Sequence, residues 1–336
     1  MFKRIGILLG SILAIFLVAF TLLYMQSGDA NDQIARTIEI SPGESASSVA
    51  AKLVASEIIK SRGGWLLALR LTGGENRIQA GKYLLSPSQT YLEIILALTQ
   101  GEVMPPELLK VTFPEGESIY KMGVQLEKAK YTAWPNFQEL VSSHIATELQ
   151  EEFIFLKDIP TRSLEGYLFP DTYKMDPNLS VQEVVRMMVD RFTEVVIPVW
   201  EKNRHRTKFS LHELLTLASI VEKEAQIPGE RPVIASVYLN RLRIGMKLDA
   251  DPTVKYALEN PQKVVRLEDL KVDSPYNTYT RAGLPPGPIC NPGIESIRAV
   301  LFPAATDFLF FVADSTGKHI FSKTHEEHLM ARRRIQ

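Results

Sequence analysis

The sequence feature that most constrains this chain is an uncharged apolar run near its N-terminus, residues 5–24. About 20 such residues are the length that a helix needs to cross the hydrocarbon core of a bilayer. Lys3 and Arg4 precede the run and the next basic residue after it is Arg36, a distribution that favours an N-in orientation. We therefore expect a cytoplasmic tip (1–4), a single-pass anchor (5–25) in the cytoplasmic (inner) membrane, and an extracytoplasmic or periplasmic body. A cleaved signal peptide is the alternative, and it would export the body equally.

The composition limits the kinds of partner and site that the body can have. A length of 336 residues predicts two folded units, and 38 basic residues nearly cancel 39 acidic ones. Such a balance creates no positive field for phosphates, so a nucleic-acid partner is not expected. Cys290 is the single cysteine of the sequence, which excludes an intrachain disulfide and a cysteine-based zinc cluster.

The order of apolar patterns predicts an α+β protein. A strand at 37–40, helices after Ser45 and over 64–71, a strand at 80–85 and a helix at 90–98 form a βααβ-like unit, which we place at residues 33–105. Pro114-Glu115-Gly116 is interpreted as a turn before another helix. The remaining chain, residues 106–336, is mainly helical and ends in a hairpin near 308–321, as expected for a mixed α+β domain.

One helix places a carboxylate among apolar residues. Ser210 and Glu213 match a capping box, and a helix that starts there carries Leu211 and Leu215 within about 20° of Glu222. Glu213 and Glu224 fall on roughly the opposite side, where we expect solvated charges. Apolar surroundings favour the protonated carboxyl that a general acid needs. A structural glutamate, hydrogen-bonded to the backbone or to an arginine such as Arg241, is the alternative, and the periodicity leaves both open.

Several short blocks then follow one another in a specific order. They are residues 80–83, 111–116, 217–224, 235–242, 251–254, 276–279, 283–289, 291–293 and 311–313. In these blocks the chain resembles the YceG-like family of endolytic murein transglycosylases. The resemblance implies a small N-terminal LysM-like subdomain and a C-terminal YceG-like catalytic domain. Its essential acid would be Glu222, the first glutamate of Val221-Glu222-Lys223-Glu224.

The resemblance also implies a reaction. Glu222 would protonate the glycosidic oxygen between MurNAc and GlcNAc in peptidoglycan glycan strands, then take a proton from the 6-hydroxyl of the same MurNAc, leaving 1,6-anhydroMurNAc ends. Because that nucleophile is intramolecular, a second carboxylate and a cofactor are not required. Asp249 and Asp251 are the nearest alternatives for such a carboxylate, although a turn before Pro252 explains them better. The implied role is to end nascent strands near peptidoglycan synthases (penicillin-binding proteins).

Further residues are predicted to bind the glycan. Aromatic faces stack on sugar rings and amides bind hydroxyl and acetamido groups. The predicted substrate-binding residues are Asn240, Arg241, Tyr276, Asn277, Thr278, Tyr279 and Asn291. For the 276–279 segment, packing of the domain is an equal alternative, and Asn240 and Arg241 would serve the cleft or brace Glu222.

Two other segments do not predict chemistry. His325-Glu326-Glu327-His328 lacks the spacing of a zinc motif, so no metal is expected, and Cys290 in a proline-rich loop is interpreted as an inert thiol. Two functions remain as alternatives to the transglycosylase. They are a non-catalytic peptidoglycan-binding scaffold and a muramidase that uses water.

Overall fold

The computed structural model describes residues 17, 21, 28–29, 31–101, 104, 108–129, 131, 137, 141, 145–157, 159–160, 163–258 and 264–335. The predicted anchor at 5–25 lies outside these residues except for Leu17 and Thr21. In the part of the chain that is described, no helix combines the length and the apolar character needed to cross a membrane. The anchor and its orientation therefore stay predictions.

The chain divides into two compact units, Met1–Glu107 and Leu108–Gln336, and each contains its own apolar core. The predicted boundary between residues 105 and 106 lies close to this division. Small two-stranded sheets and many helices make up the described residues, as expected for the α+β class.

The N-terminal unit follows the predicted order of strand, helix, helix and strand, and the helix predicted at 90–98 comes after them. Its elements are β1 (Arg36–Ile40), α1 (Ala46–Ala55), α2 (Arg62–Leu71), β2 (Gly81–Leu85) and α3 (Tyr91–Gln100). The two strands are antiparallel, with Arg36 opposite Leu85 and Ile40 opposite Gly81. Alternate strand residues face the core, and the side chains of Ser45, Ser61 and Thr90 cap the three helices.

The C-terminal unit is mainly helical. Its elements are β3 (Leu109–Thr112), α4 (Ile119–Lys128), α5 (Ile145–Glu152), β4 (Thr172–Met175), α6 (Val181–Asn203), α7 (Leu211–Glu224), α8 (Arg231–Arg243), α9 (Asp251–Ala257), α10 (Ile294–Leu301), β5 (Phe310–Ala313), β6 (His319–Ser322) and α11 (His325–Ile335). Strands β3 and β4 pair antiparallel, and β5 and β6 form the predicted C-terminal hairpin. Helices α7, α8 and α10 pack against one another, which positions the candidate site.

Candidate active site

The helix that carries Glu222 is buried almost throughout its length. Ser210 and Glu213 form the predicted capping box at its start, and every residue from Leu211 to Val221 except Glu213 is buried. An all-round apolar helix of this kind belongs to a protein interior, so one apolar face does not distinguish Glu222. Glu222 stands out because the last helical turn emerges from the core there.

The carboxyl group of Glu222 lies among polar donors, which corrects the expectation that leucines surround it. Its side chain is only 7% exposed. The Ser296 hydroxyl and the Gly293 N–H donate to Oε2, at 2.7 and 3.1 Å, and Arg231 Nη2 donates to Oε1 at 3.2 Å. Leu211 and Leu215 are buried, but the groups that contact this carboxyl come from the loop before α10, from α10 and from α8.

Arg231 connects Glu222 to a second carboxyl group. Its Nη2 also lies 4.0 Å from Oε2 of Glu115, and its Nε donates to the Ser296 hydroxyl at 3.0 Å. Burial and the negative charge of Glu222 raise the pKa of Glu115, while Arg231 acts in the opposite direction. The site therefore contains two electrostatically coupled carboxyl groups that face one guanidinium group.

Two loops of the C-terminal unit, which pair through their backbones, fix the position of Glu115 relative to Glu222. The Gly116 N–H donates to the Asn291 carbonyl, and the Asn291 N–H donates to the Glu117 carbonyl, both at 2.9 Å. Gly116 has a φ of +79°, which glycine adopts without strain, and a Cβ at this position would lie 3.3 Å from Cγ of Glu222. The turn that carries Glu115 is thus packed directly against Glu222.

Gly293 lies between the two carboxyl groups. Its N–H donates to Glu222, and a Cβ at this position would lie 2.0 Å from Oε1 of Glu115. Only a glycine therefore leaves room for the Glu115 carboxyl in this arrangement. A side chain at this position would therefore move the Glu115 carboxyl away from its place beside Gly293.

The expectation that Glu224 is a solvated charge is wrong. Its carboxyl accepts a hydrogen bond from the Tyr238 hydroxyl at 2.9 Å, and burial raises its pKa to about 7. The helix is covered on this side by α8, which carries Tyr238. A helical wheel does not include such neighbours, because they come from a later part of the chain.

Asn291, a predicted substrate-binding residue, is fully buried and joins internal loops instead. Its Oδ1 accepts the N–H groups of Gly166 and Leu168, and its Nδ2 donates to the Glu117 carbonyl and to Glu165. Both polar atoms of its amide are therefore used within the protein, and substrate binding by Asn291 stays a prediction.

Glu165 completes this internal network. Its carboxyl accepts the Ile119 N–H and the Asn291 amide, and the Tyr256 hydroxyl lies 3.4 Å away. Burial raises its pKa to about 8. A buried carboxyl group thus braces the loop that leads to Gly293.

Asn240 and Arg241 brace the C-terminal hairpin and not Glu222. Asn240 Nδ2 donates to the carbonyls of Thr306 and Phe308, and the buried Arg241 donates to the carbonyls of Leu309 and Leu248. The donor groups of both residues point to the backbone, and glycan binding by Asn240 and Arg241 stays a prediction.

The segment 276–279 is a turn in which two of the four predicted residues are internal. Asn277 is fully buried, and its amide donates to the Leu270 and Val272 carbonyls, while the Thr278 hydroxyl bonds that of Thr253. This arrangement supports packing as the role of Asn277 and Thr278.

The two tyrosines of the segment are half-buried. Tyr276 packs on Tyr256 with ring centroids 4.8 Å apart, and the Tyr279 hydroxyl donates to Asp251 at 2.6 Å. Asp249 adopts a left-handed backbone conformation in the segment before α9, and Asp251 is the first residue of that helix. Sugar binding by Tyr276 and Tyr279 stays a prediction.

The surroundings of Cys290 fit its interpretation as an inert thiol. Cys290 is buried, its thiol contacts the Ser219 carbonyl, and burial raises its pKa well above the usual value. Among the described residues, no group of three or more His, Cys, Asp or Glu side chains is arranged to hold a metal ion.

Sequence reasoning missed three residues of the site, Glu115, Arg231 and Ser296. Glu115 lies in a block that we interpreted only as a turn, and Arg231 is the first residue of α8, directly after the short 3-10 helix Pro228–Glu230. The position of Glu115 in the block 111–116, one of those that resemble the family, was the available signal for this residue. Arg231 and Ser296 lie outside those blocks, and only the packing of α8 and α10 on α7 brings them to Glu222.

Comparisons with known proteins agree with the resemblance found in the sequence. The chain matches the YceG-like family over residues 38–334. It is 36% identical over 304 residues to the endolytic murein transglycosylase of Bacillus subtilis (strain 168), which covers 88% of this chain and 83% of that protein. The endolytic murein transglycosylase of Streptococcus pneumoniae serotype 2 (strain D39 / NCTC 7466) is 29% identical over 277 residues, covering 75% of this chain and 49% of that relative.

The chain is also similar to a solved structure of a yceG-like protein. The 2.6 Å crystal structure of a yceG-like protein from Listeria monocytogenes superposes with a TM-score of 0.61 at 33% identity, covering 88% of this chain and 99% of that one. The family match starts at residue 38 of the first unit and continues to residue 334 of the second. The chain therefore belongs to the YceG-like family.

Proposed function

We propose that this protein is an endolytic peptidoglycan lytic transglycosylase with Glu222 as its acid and base. The observation that carries the proposal is the nearly buried Glu222 carboxyl, held by Arg231, Ser296 and the Gly293 N–H in a member of this family. The two relatives named above both carry the name endolytic murein transglycosylase. A carboxyl group held by several donors has a fixed direction, which general acid–base catalysis requires.

The proposed reaction uses this carboxyl twice. Glu222 gives its proton to the glycosidic oxygen as the bond from MurNAc C1 to that oxygen breaks, and GlcNAc leaves with a free 4-hydroxyl. The 6-hydroxyl of the same MurNAc then attacks C1, and its proton passes to Glu222, which restores the starting state. The products are one 1,6-anhydroMurNAc end and one new GlcNAc end, without consumption of water.

The proposed setting follows from the sequence. The apolar run at 5–24 would anchor the chain in the cytoplasmic membrane, and the βααβ unit would act as a LysM-like peptidoglycan-binding module. Cleavage of nascent strands at the membrane would end their growth, which makes peptidoglycan synthases the expected partners.

One observation favours a second candidate function, a muramidase that uses water. Ordinary glycosidases pair an acid with a second carboxyl group, and Glu115 faces Glu222 across Arg231. In such an enzyme Glu115 would activate water or attack C1, and the product would have a reducing MurNAc end.

Product analysis distinguishes these functions. The full-length protein in detergent is incubated with purified, uncrosslinked glycan strands, and the new ends are identified by mass spectrometry beside the variants Glu222→Gln and Glu213→Gln. We expect anhydroMurNAc ends from the wild type and a loss of at least about 100-fold in Glu222→Gln. Glu213 lies exposed on the same helix and a glutamine can keep its capping role, so its variant should retain activity.

The other outcomes are equally specific. Reducing ends in place of anhydro ends would establish the muramidase. Binding of glycan without any cleavage by the folded wild type would establish a scaffold and overturn the proposal.

A further inference from the structure

The arrangement of charges around Glu222 presents a chemical difficulty for the proposed reaction. The first step needs a protonated Glu222, yet a hydrogen bond from Arg231 at 3.2 Å stabilises the ionised carboxylate. Gly293 N–H and the Ser296 hydroxyl add two further donors. An acid held in this way needs a second group that offsets the arginine.

Glu115 has the position that such a group requires. It lies 4.0 Å from the same Nη2 atom of Arg231 that binds Glu222, so the two carboxyl groups compete for one guanidinium group. Its side chain is 47% exposed, whereas that of Arg231 is 13% exposed, so the competition takes place at the mouth of the site.

The backbone also fixes Glu115 there. The turn at Gly116 pairs with Asn291, and Gly293 leaves room for the Glu115 carboxyl beside the N–H that binds Glu222. Lys223 Nζ donates to the Gly116 carbonyl at 3.2 Å, which ties the same turn to the end of α7. These contacts fix the position of the turn that carries Glu115.

We propose that Glu115 is a positioning residue for Glu222, which draws the Arg231 guanidinium away from Glu222 and so allows Glu222 to hold the proton that it donates. This inference rests on the proposed function of Glu222. The charged groups around Glu115 are Glu222, Arg231 and Glu295, with Lys223 at the base of its turn. Of these, Arg231 is the group within reach of both carboxyl groups.

The inference predicts a shift in the pH dependence of catalysis. In Glu115→Gln, Arg231 is left to Glu222 alone and a neighbouring negative charge is removed, and both changes make Glu222 release its proton more readily. The alkaline limb of the profile of kcat/KM against pH should therefore move to lower pH by about one unit, with kcat at neutral pH reduced about tenfold. KM should change little, because Glu115 acts through Glu222 and not on the glycan.

The experiment measures total bond cleavage by the full-length protein, counting new ends of either kind, from pH 5 to 9. Glu115→Asp keeps the charge and should retain most of the wild-type profile. Glu295→Gln is the matched control, since it removes another carboxylate near Glu115, one that pairs with Arg298, and should leave the alkaline limb in place. Thermal unfolding of each variant verifies the fold, and Glu115→Ala replaces Glu115→Gln if that variant does not fold.

Three results would overturn the inference. They are an unchanged alkaline limb in Glu115→Gln, an equal shift in Glu295→Gln, and a rise in KM alone, which would mean that Glu115 binds the glycan. Counting both kinds of end keeps this test separate from that of the product chemistry. If the wild type cleaves to reducing ends, the transglycosylase proposal fails while the shift in pH dependence still tests Glu115.

Discussion

At the scale of single residues, buried carboxyl groups are the unusual feature of the C-terminal unit. Glu222, Glu224 and Glu165 all lose water, but their partners differ. Glu222 contacts Arg231, Glu224 contacts a tyrosine hydroxyl, and Glu165 contacts amides. A hydroxyl or an amide offsets only part of the cost of burying a negative charge, and burial raises the pKa values of Glu224 and Glu165.

Glu165 gives a prediction about stability. Because the folded chain raises the pKa of this carboxyl to about 8, it binds the proton more tightly than the unfolded chain does. The stability that this group contributes is therefore complete below about pH 4.5 and is lost as the pH rises to about 8, at up to about 1.4 kcal/mol per pH unit. Glutamine does not titrate, so between pH 5 and pH 8 the free energy of unfolding of Glu165→Gln should fall less than that of the wild type.

Urea unfolding at several pH values checks this expectation. The control is Glu127→Gln, which changes an exposed glutamate of α4. Its free energy of unfolding should change with pH as that of the wild type does. If the free energy of unfolding had the same pH dependence in the wild type and in Glu165→Gln, Glu165 would not be the group that causes the loss of stability.

At the scale of elements, helix α8 serves two parts of the unit. Its first residue, Arg231, reaches Glu222, while Asn240 and Arg241 near its end bind the backbone that leads into β5. The helix thereby links the site to the C-terminal hairpin. This link needs the donors at both ends of α8, which explains why Arg241 is a buried polar residue in the last turn of the helix.

The Arg241→Met variant tests this role. Methionine keeps an apolar side chain of similar length but leaves the carbonyls of Leu309 and Leu248 without their donor. We expect a loss of about 2–4 kcal/mol in the free energy of unfolding, together with faster hydrogen exchange in β5 and β6.

The matched control is Arg243→Met, which changes an exposed arginine of the same helix. It should unfold like the wild type. If both variants lost the same stability, the internal bonds of Arg241 would not be the cause.

At the scale of the whole molecule, two separate cores divide the chain. Residues such as Leu53 and Trp65 form one core, and residues such as Leu215 and Phe192 form the other. Since apolar burial supplies most of the stability of a domain, each unit has its own source of stability.

A pair of cavity variants tests the division. Leu53→Ala and Leu215→Ala each remove a fully buried side chain and should each cost about 2–5 kcal/mol. Hydrogen exchange followed by mass spectrometry should locate the loss of protection in residues 31–101 for the first variant and in residues 108–335 for the second. Loss of protection across both units in either variant would contradict separate stability.

The sequence by itself determined the features that depend on neighbouring residues along the chain. The strand alternation around Ile38, the capping box at Ser210 and the hairpin before α11 are local, because hydrogen bonding and apolar periodicity within a few residues decide them. The resemblance in short blocks also gave the family, which the comparisons confirm.

Only the tertiary structure decided what each polar side chain contacts. Asn291 matched a block yet serves as an internal brace, whereas Glu115, read as part of a turn, faces Glu222 across Arg231. Glu115 and Arg231 lie more than a hundred residues apart in sequence, and no local pattern specifies that they meet. The packing of α7, α8 and α10 places Arg231, and the backbone bonds between the Gly116 turn and Asn291 place Glu115. A hydrogen bond or an ion pair depends on distance in space and not on separation along the chain.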